Sequence, residues 1–216
     1  MGIDGATVLV EIHGIERQKM ACSFDAIPNE NTIKSPNLGT FGGMIHVRIF
    51  HGSVTKPFSG DSYRELGGFF GGHVAVQVFD RVYGFYYADR NRIHIFPNNQ
   101  QKSAIFQNQS LAEWEEIVRY KKETIVSIPA SQEELLWLKD YYERNVADPE
   151  CDYSFWGERC ASNCHRLLAG LNKVNPGSRF LTSFYPGQLI FTLKREATRR
   201  GYMVRTKPGD PRRIWA

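Results

Sequence analysis

Apolar and polar positions alternate with a period of two along much of the first half of the chain, and with a period near 3.6 along much of the second. Residues 6–12 (Ala-Thr-Val-Leu-Val-Glu-Ile) and 44–50 (Met-Ile-His-Val-Arg-Ile-Phe) are rich in β-branched side chains and predict strands. Between them Pro28, Asn29, Asn31, Pro36 and Gly39 predict a loop, and a second loop with Gly, Ser and Pro covers roughly 52–68. Two alternating runs follow, His73 to Phe79 and Val82 to Tyr87, split by Asp80-Arg81. They predict a hairpin in which Val78 pairs with Tyr83, Gln77 with Gly84 and Ala75 with Tyr86. Residues 91–96 predict a third strand, closed by Pro97-Asn98-Asn99.

The helical period begins at Ser110. Ser110-Leu-Ala-Glu113 is a capping box, and Leu111, Trp114, Ile117 and Val118 follow on one face. Glu123 to Ile128 predicts a short strand stopped by Pro129. Ser131-Gln-Glu-Glu134 is a second capping box, leading into Leu135, Leu138, Tyr141 and Tyr142. A helix from Cys160 to about Asn172 carries Cys164, Leu167, Leu168 and Leu171 as its buried stripe. Another covers about 187–200, ends at Gly201, and leads into a strand at 202–206. Strands first, then helices mixed with strands, give an α+β fold whose sheet is mainly antiparallel and packed against helices.

Composition bounds this picture. With 216 residues, 42% apolar and 13% aromatic, the chain fits one domain, 1–216, without repeats or a convincing linker. No apolar run approaches about 18 residues, so no transmembrane segment is expected. The start, Met-Gly-Ile-Asp-Gly, lacks the basic region and apolar core of a signal peptide. The compartment stays open, with a bacterial envelope or secreted setting compatible. Four cysteines (Cys22, Cys151, Cys160 and Cys164) are too few for a disulfide scaffold and mildly favour a reducing compartment.

The net charge is +4, and the excess sits near the C-terminal end. Lys194, Arg195, Arg199, Arg200, Arg205, Lys207, Arg212 and Arg213 face only Glu196 and Asp210 there. Such a patch suits an anionic cell-wall polymer or simply a solvated helix face. No aromatic residues interleave with the arginines as a stacking groove would require, so no nucleic-acid partner is expected.

Candidate chemistry centres on Tyr153-Ser-Phe-Trp-Gly-Glu-Arg-Cys160-Ala-Ser-Asn-Cys164. An aromatic run breaks at Gly157, and Cys160 opens a helix. Free backbone N–H groups and the positive dipole end favour a thiolate there. A thiol nucleophile needs a base, usually histidine. Of the six histidines, His73 stands out because it follows Gly71-Gly72 and opens a strongly alternating strand. His165 is five positions past Cys160 and points away from it, and His46 and His94 lie inside predicted strands. On the His73 face, Ala75 and Gly84 are small, Tyr86 is the polar group best placed to orient the imidazole, and Gln77 is second. Cys151, Cys160, Cys164 and His165 cluster in sequence but lack the paired knuckles of a structural zinc site. No metal and no cofactor are expected. A Cys151–Cys160 disulfide would remove the nucleophile.

Gly-His-Val-Ala-Val, a strand pair ending Tyr-Gly-Phe-Tyr, and a distant Tyr-Ser-Phe-Trp-Gly-Glu-Arg-Cys-Ala-Ser resemble the circularly permuted branch of the NlpC-type, papain-like cysteine peptidases. The lecithin:retinol acyltransferase group is similar in the same respect. The resemblance covers about 71–172, which it implies is a catalytic core, with 1–70 and 173–216 as additions. It implies a permuted papain-like fold with the histidine strand ahead of the cysteine helix. Cys160 then matches the nucleophile, His73 the base, and Tyr153 the tyrosine that leads the cysteine motif. Arg159 stands where the family has asparagine, and Asn163-Cys164 offers an alternative Asn-Cys pair. Helix phase places Cys164 on the apolar stripe and favours Cys160. The second strand carries no His, Asn or Glu as a third catalytic residue. The implied activity is cleavage of an amide bond by a thiol hydrolase, first of all in a bacterial cell-wall peptide. Lipid acyl transfer on the same fold, or a binding module without activity, are the alternatives. The implied partner is a peptide or acyl substrate.

Overall fold

A computed structural model describes residues 42–51, 72–88, 93–98, 100–177 and 183–209. The strand expected at 6–12 and the two early loops lie outside the described residues. Among those described, six strands and four helices follow in the order β1 (Gly43–His51), β2 (Gly72–Val78), β3 (Arg81–Tyr87), β4 (Ala104–Ser110), α1 (Leu111–Ile117), β5 (Glu123–Ala130), α2 (Gln132–Ala147), α3 (Cys160–Gly170), α4 (Pro186–Arg200) and β6 (Met203–Lys207). The strands form one sheet in the order β4-β3-β2-β1-β5-β6, with every neighbouring pair antiparallel. The fold is α+β, as the pattern predicts.

Local chemistry explains most boundaries. Ser110 and Ser131 accept the Glu113 and Glu134 backbone N–H groups, and each glutamate reaches back to its serine's backbone N–H. These reciprocal bonds start α1 and α2 where the sequence places them. Gly201 ends α4 in the left-handed region at φ 73° and donates its N–H to the Ala197 carbonyl.

Three expectations are corrected. The β2–β3 turn is Phe79-Asp80, because Val78 pairs with Arg81 and Ala75 with Gly84. The register therefore differs by two residues from the one expected for an Asp80-Arg81 turn. An even slip keeps every side chain on its face. Phe79 takes φ 56°, a left-handed conformation uncommon for an aromatic residue. The expected third strand at 91–96 is absent among its described residues, where His94 makes only an isolated bridge to Ser154. The strand that pairs with β3 is Ala-Ile-Phe-Gln-Asn-Gln-Ser at 104–110, whose polar half hides its alternation. Finally, β5 continues through Pro129, opposite Met44, to Ala130.

The sheet has two unlike faces, since successive side chains alternate. One buries Ile45, Val47, Ile49, Val74, Val76, Val78, Phe85 and Phe106 in a cluster shared with α2, α3 and α4. The other buries a smaller cluster of Phe50, Ala75 and Val82 beneath Trp114 of α1 and Val118. Cys160 belongs to the first cluster. His73, two positions before Ala75 and paired with Phe50, lies on the second face.

Candidate active site

Cys160 is the first residue of α3, after Arg159 in extended conformation. The turn ahead of it is fastened tightly. The Arg159 N–H donates to Ser162 Oγ at 2.9 Å, and that hydroxyl donates to Glu158 at 2.9 Å. Arg166 reaches Glu150 at 3.1 Å and Tyr141 Oη at 2.7 Å, tying α3 to α2. Gly157 permits the close approach upstream, since a Cβ there would collide with Ser154 Oγ and Pro97.

Three donors surround the Cys160 sulfur. The backbone N–H of Val74 in β2 and of Ala161 in α3 point at it, and Tyr153 Oη lies 4.0 Å away. Tyr153 thus stands beside the cysteine, as its place in the motif implies. The sulfur is nonetheless deeply buried, with the residue 6% exposed, and burial raises the thiol pKa against those donors and the Arg159 charge. The helix start alone predicts a depressed value; desolvation outweighs it here. Cys164 is buried on the leucine stripe, and burial, followed by the nearby Cys160, raises its pKa further. Cys160 and Cys164 are free thiols whereas Cys151 is disulfide-bonded, so no Cys151–Cys160 bridge forms. The bonded Cys151 counts against the reducing compartment favoured from cysteine number.

His73 is the second residue of β2, one before the Val74 N–H that meets the sulfur. Its imidazole stacks on Tyr86, with ring centroids 4.0 Å apart and planes within 17°. Phe50 and Trp114 enclose it at 5.7 and 6.4 Å. Burial, assisted by the Lys121 charge, lowers its pKa to about 3, and Nε2 has no hydrogen-bond partner. The imidazole and the Cys160 thiol share no hydrogen bond, and Tyr86 neighbours both. In this arrangement the pair is neutral rather than an ion pair.

Tyr86 does touch His73, but by stacking rather than through its hydroxyl. Gly84 makes this possible, because a Cβ there would clash with the Tyr86 ring. Burial and then the neighbouring Cys160 raise the Tyr86 pKa, so the phenol stays protonated between the two candidate groups. Gln77 lies on the same face but donates its amide to the Phe79 carbonyl at 3.1 Å. It does not orient His73.

Two features escaped the sequence reading. Arg159, just before Cys160, places its guanidinium 3.7 Å from the Phe184 ring centroid, with Phe155 and Tyr185 at 4.8 and 5.0 Å. His94 donates its Nδ1–H to the buried Asp152 carboxylate at 2.7 Å, and that carboxylate also takes the N–H groups of Asn98 and Ser103. An imidazole fixed on a buried carboxylate is the usual means of orienting a histidine. Here it also pins His94, Asn98 and Ser103 against the segment leading to Cys160. His165, as expected, faces away from Cys160; the Asn175 backbone interacts with its ring. Among the described residues, no three His, Cys, Asp or Glu side chains converge as a metal site. No described helix is long and apolar enough to cross a membrane. No protein-family model, curated protein or solved structure matches the chain.

Proposed function

We propose that the protein is a thiol hydrolase of the permuted papain-like, NlpC-type kind, which cleaves an amide bond in a peptide, first of all one from the bacterial cell wall. The observation that carries this reading is the convergence on one sulfur of the Val74 N–H, next to His73, and the Ala161 N–H of the α3 start. The histidine strand and the cysteine helix thereby meet at the reactive atom. Cys160 attacks the carbonyl carbon and forms a thioester as the C–N bond breaks, while His73 passes the thiol proton to the leaving amine. Water then cleaves the thioester to free the acid and the Cys160 thiol. Amides at the α3 start then stabilise the oxyanion. Proton transfer requires the His73 side chain to leave its stack on Tyr86 and turn toward the sulfur, so Tyr86 sets the resting position of the base. The basic residues of the last helix and strand favour an anionic polymer as substrate carrier. Acyl transfer from a lipid would use the same two groups.

The buried, neutral thiol favours a second reading, a binding module whose site is silent. Iodoacetamide alkylation separates the two. A hydrolase predicts selective Cys160 labelling at pH 6.5, lost in His73→Ala, and release of peptide from peptidoglycan fragments that Cys160→Ser abolishes and Cys164→Ser preserves. Labelling that appears only as an ordinary thiol titrates, with no dependence on His73 and no hydrolysis, would establish the silent module instead.

A further inference from the structure

On the sheet face away from Cys160, register assembles a second site. His46 of β1 pairs with Gln77 of β2 on one side and Ser127 of β5 on the other. In the next row Arg48 pairs with Ile125, and Ile125 with Arg205 of β6. Directly paired residues share a face, so these side chains rise together. Leu111 and Glu115 of α1 form the other wall, and a cavity of about 290 Å³ lies between them.

The cavity is unusual in its charge. Arg48 is only 3% exposed, and its two terminal nitrogens lie 3.4 Å from Glu123 and Glu115, leaving Nε buried without a partner. Arg205 makes no hydrogen bond or ion pair among the described residues and is exposed on β6. His46 Nδ1 lies 2.8 Å from Ser127 Oγ. When that hydroxyl donates, the neutral ring carries its proton on Nε2 and becomes a donor as well. Burial and the charges of Arg48 and Arg205 both hold the His46 pKa down, a sign that the potential between them is positive despite Glu115.

We propose that this cavity is a binding site for a compact oxyanion, a carboxylate or a phosphate group, held by Arg205, Arg48 and His46 with Ser127 at its floor. Guanidinium groups match both anions in shape and donor number. Neither Cys160 nor His73 lines the cavity, so the inference stands or falls independently of the proposed hydrolase chemistry.

The test is titration of the full chain with sodium phosphate and, separately, sodium acetate, against sodium chloride at equal ionic strength. Thermal shift reports binding, and His46 ring resonances report its place. The expected result is a saturable rise in Tm with one or both oxyanions, accompanied by an upward shift of the His46 pKa. Arg205→Gln should weaken that binding about tenfold, the loss of one charge-assisted contact. Arg195→Gln, an exposed arginine on α4, should leave it unchanged. Phosphate acting alone identifies a phosphoryl ligand, and acetate acting alone a carboxylate. An equal response to chloride, or a response indifferent to Arg205→Gln, overturns the proposal.

Discussion

The two faces of the sheet solve burial in opposite ways. The face under α2, α3 and α4 is mostly apolar, and among its polar groups are a thiol ringed by N–H donors and His51 bonded to Thr124. The face under α1 buries Arg48, Glu123 and His73 alongside Phe50 and Trp114. The first draws stability from contact area, the second from pairing groups that would otherwise be stranded without water. The lesson for function is that the candidate nucleophile packs with the apolar cluster whereas its candidate base is enclosed by aromatic rings, with Tyr86 next to both.

The largest test of this contrast is Glu123→Ala. Glu123 is 1% exposed, faces Arg48 and accepts the Trp114 indole N–H at 2.8 Å. Its removal leaves a buried cation and a buried donor, and should cost about 3–5 kcal/mol in urea denaturation. A loss under about 1 kcal/mol would mean that water reaches this face freely. On the apolar face Leu168→Ala should cost roughly 2–4 kcal/mol, with no change in pH dependence.

Acid should act next on one buried histidine from each face. His73 has its pKa lowered from 6.5 to about 3 and His51 to about 4, so the native state holds both neutral while the unfolded chain protonates them. Their contribution is complete above pH 6.5 and disappears as pH falls toward 4 and then 3, a loss of a few kcal/mol. His73→Phe should flatten that dependence; an unchanged acid limb would show that His73 is hydrated. The smallest expected effect is Gly84→Ala. Displacing the Tyr86 ring should cost about 1–2 kcal/mol and, by unstacking His73, alter the rate of Cys160 alkylation. An unaltered rate would separate Tyr86 from the candidate site altogether.

Legibility in the sequence followed the strength of local signals. The two capping boxes, the Cys160 helix and the α4 end were readable because each is fixed by neighbours a few residues away. Strand β4 was not, because Gln107, Asn108 and Gln109 face partial solvent and carry little β preference. The hairpin register failed by two residues because Asp80 is the familiar turn former, yet Phe79 takes the left-handed position. At the site, the Tyr86 contact with His73 is a ring stack where an orienting hydroxyl was expected, but the nearness of Tyr153 to Cys160 and of Tyr86 to His73 follows from spacing and face. The burial that keeps thiol and imidazole neutral does not, for desolvation comes from residues distant in sequence. Part of the basic stretch proved structural through pairs one helical turn apart: Arg199 and Arg200 are both bound to buried Glu196.

The strand order carries one more implication, for how the chain reaches this state. The β2–β3 hairpin closes through two residues, but β1 joins β5 across more than seventy positions, as in Phe50 with Glu123, and β5 joins β6 across a similar span. Such distant pairings slow folding, because loop entropy must be lost before the contacts form. During synthesis β1 emerges long before β5 and carries an unsatisfied edge in the interval. A nascent chain held there would bind chaperones, or a second copy of itself, through β1.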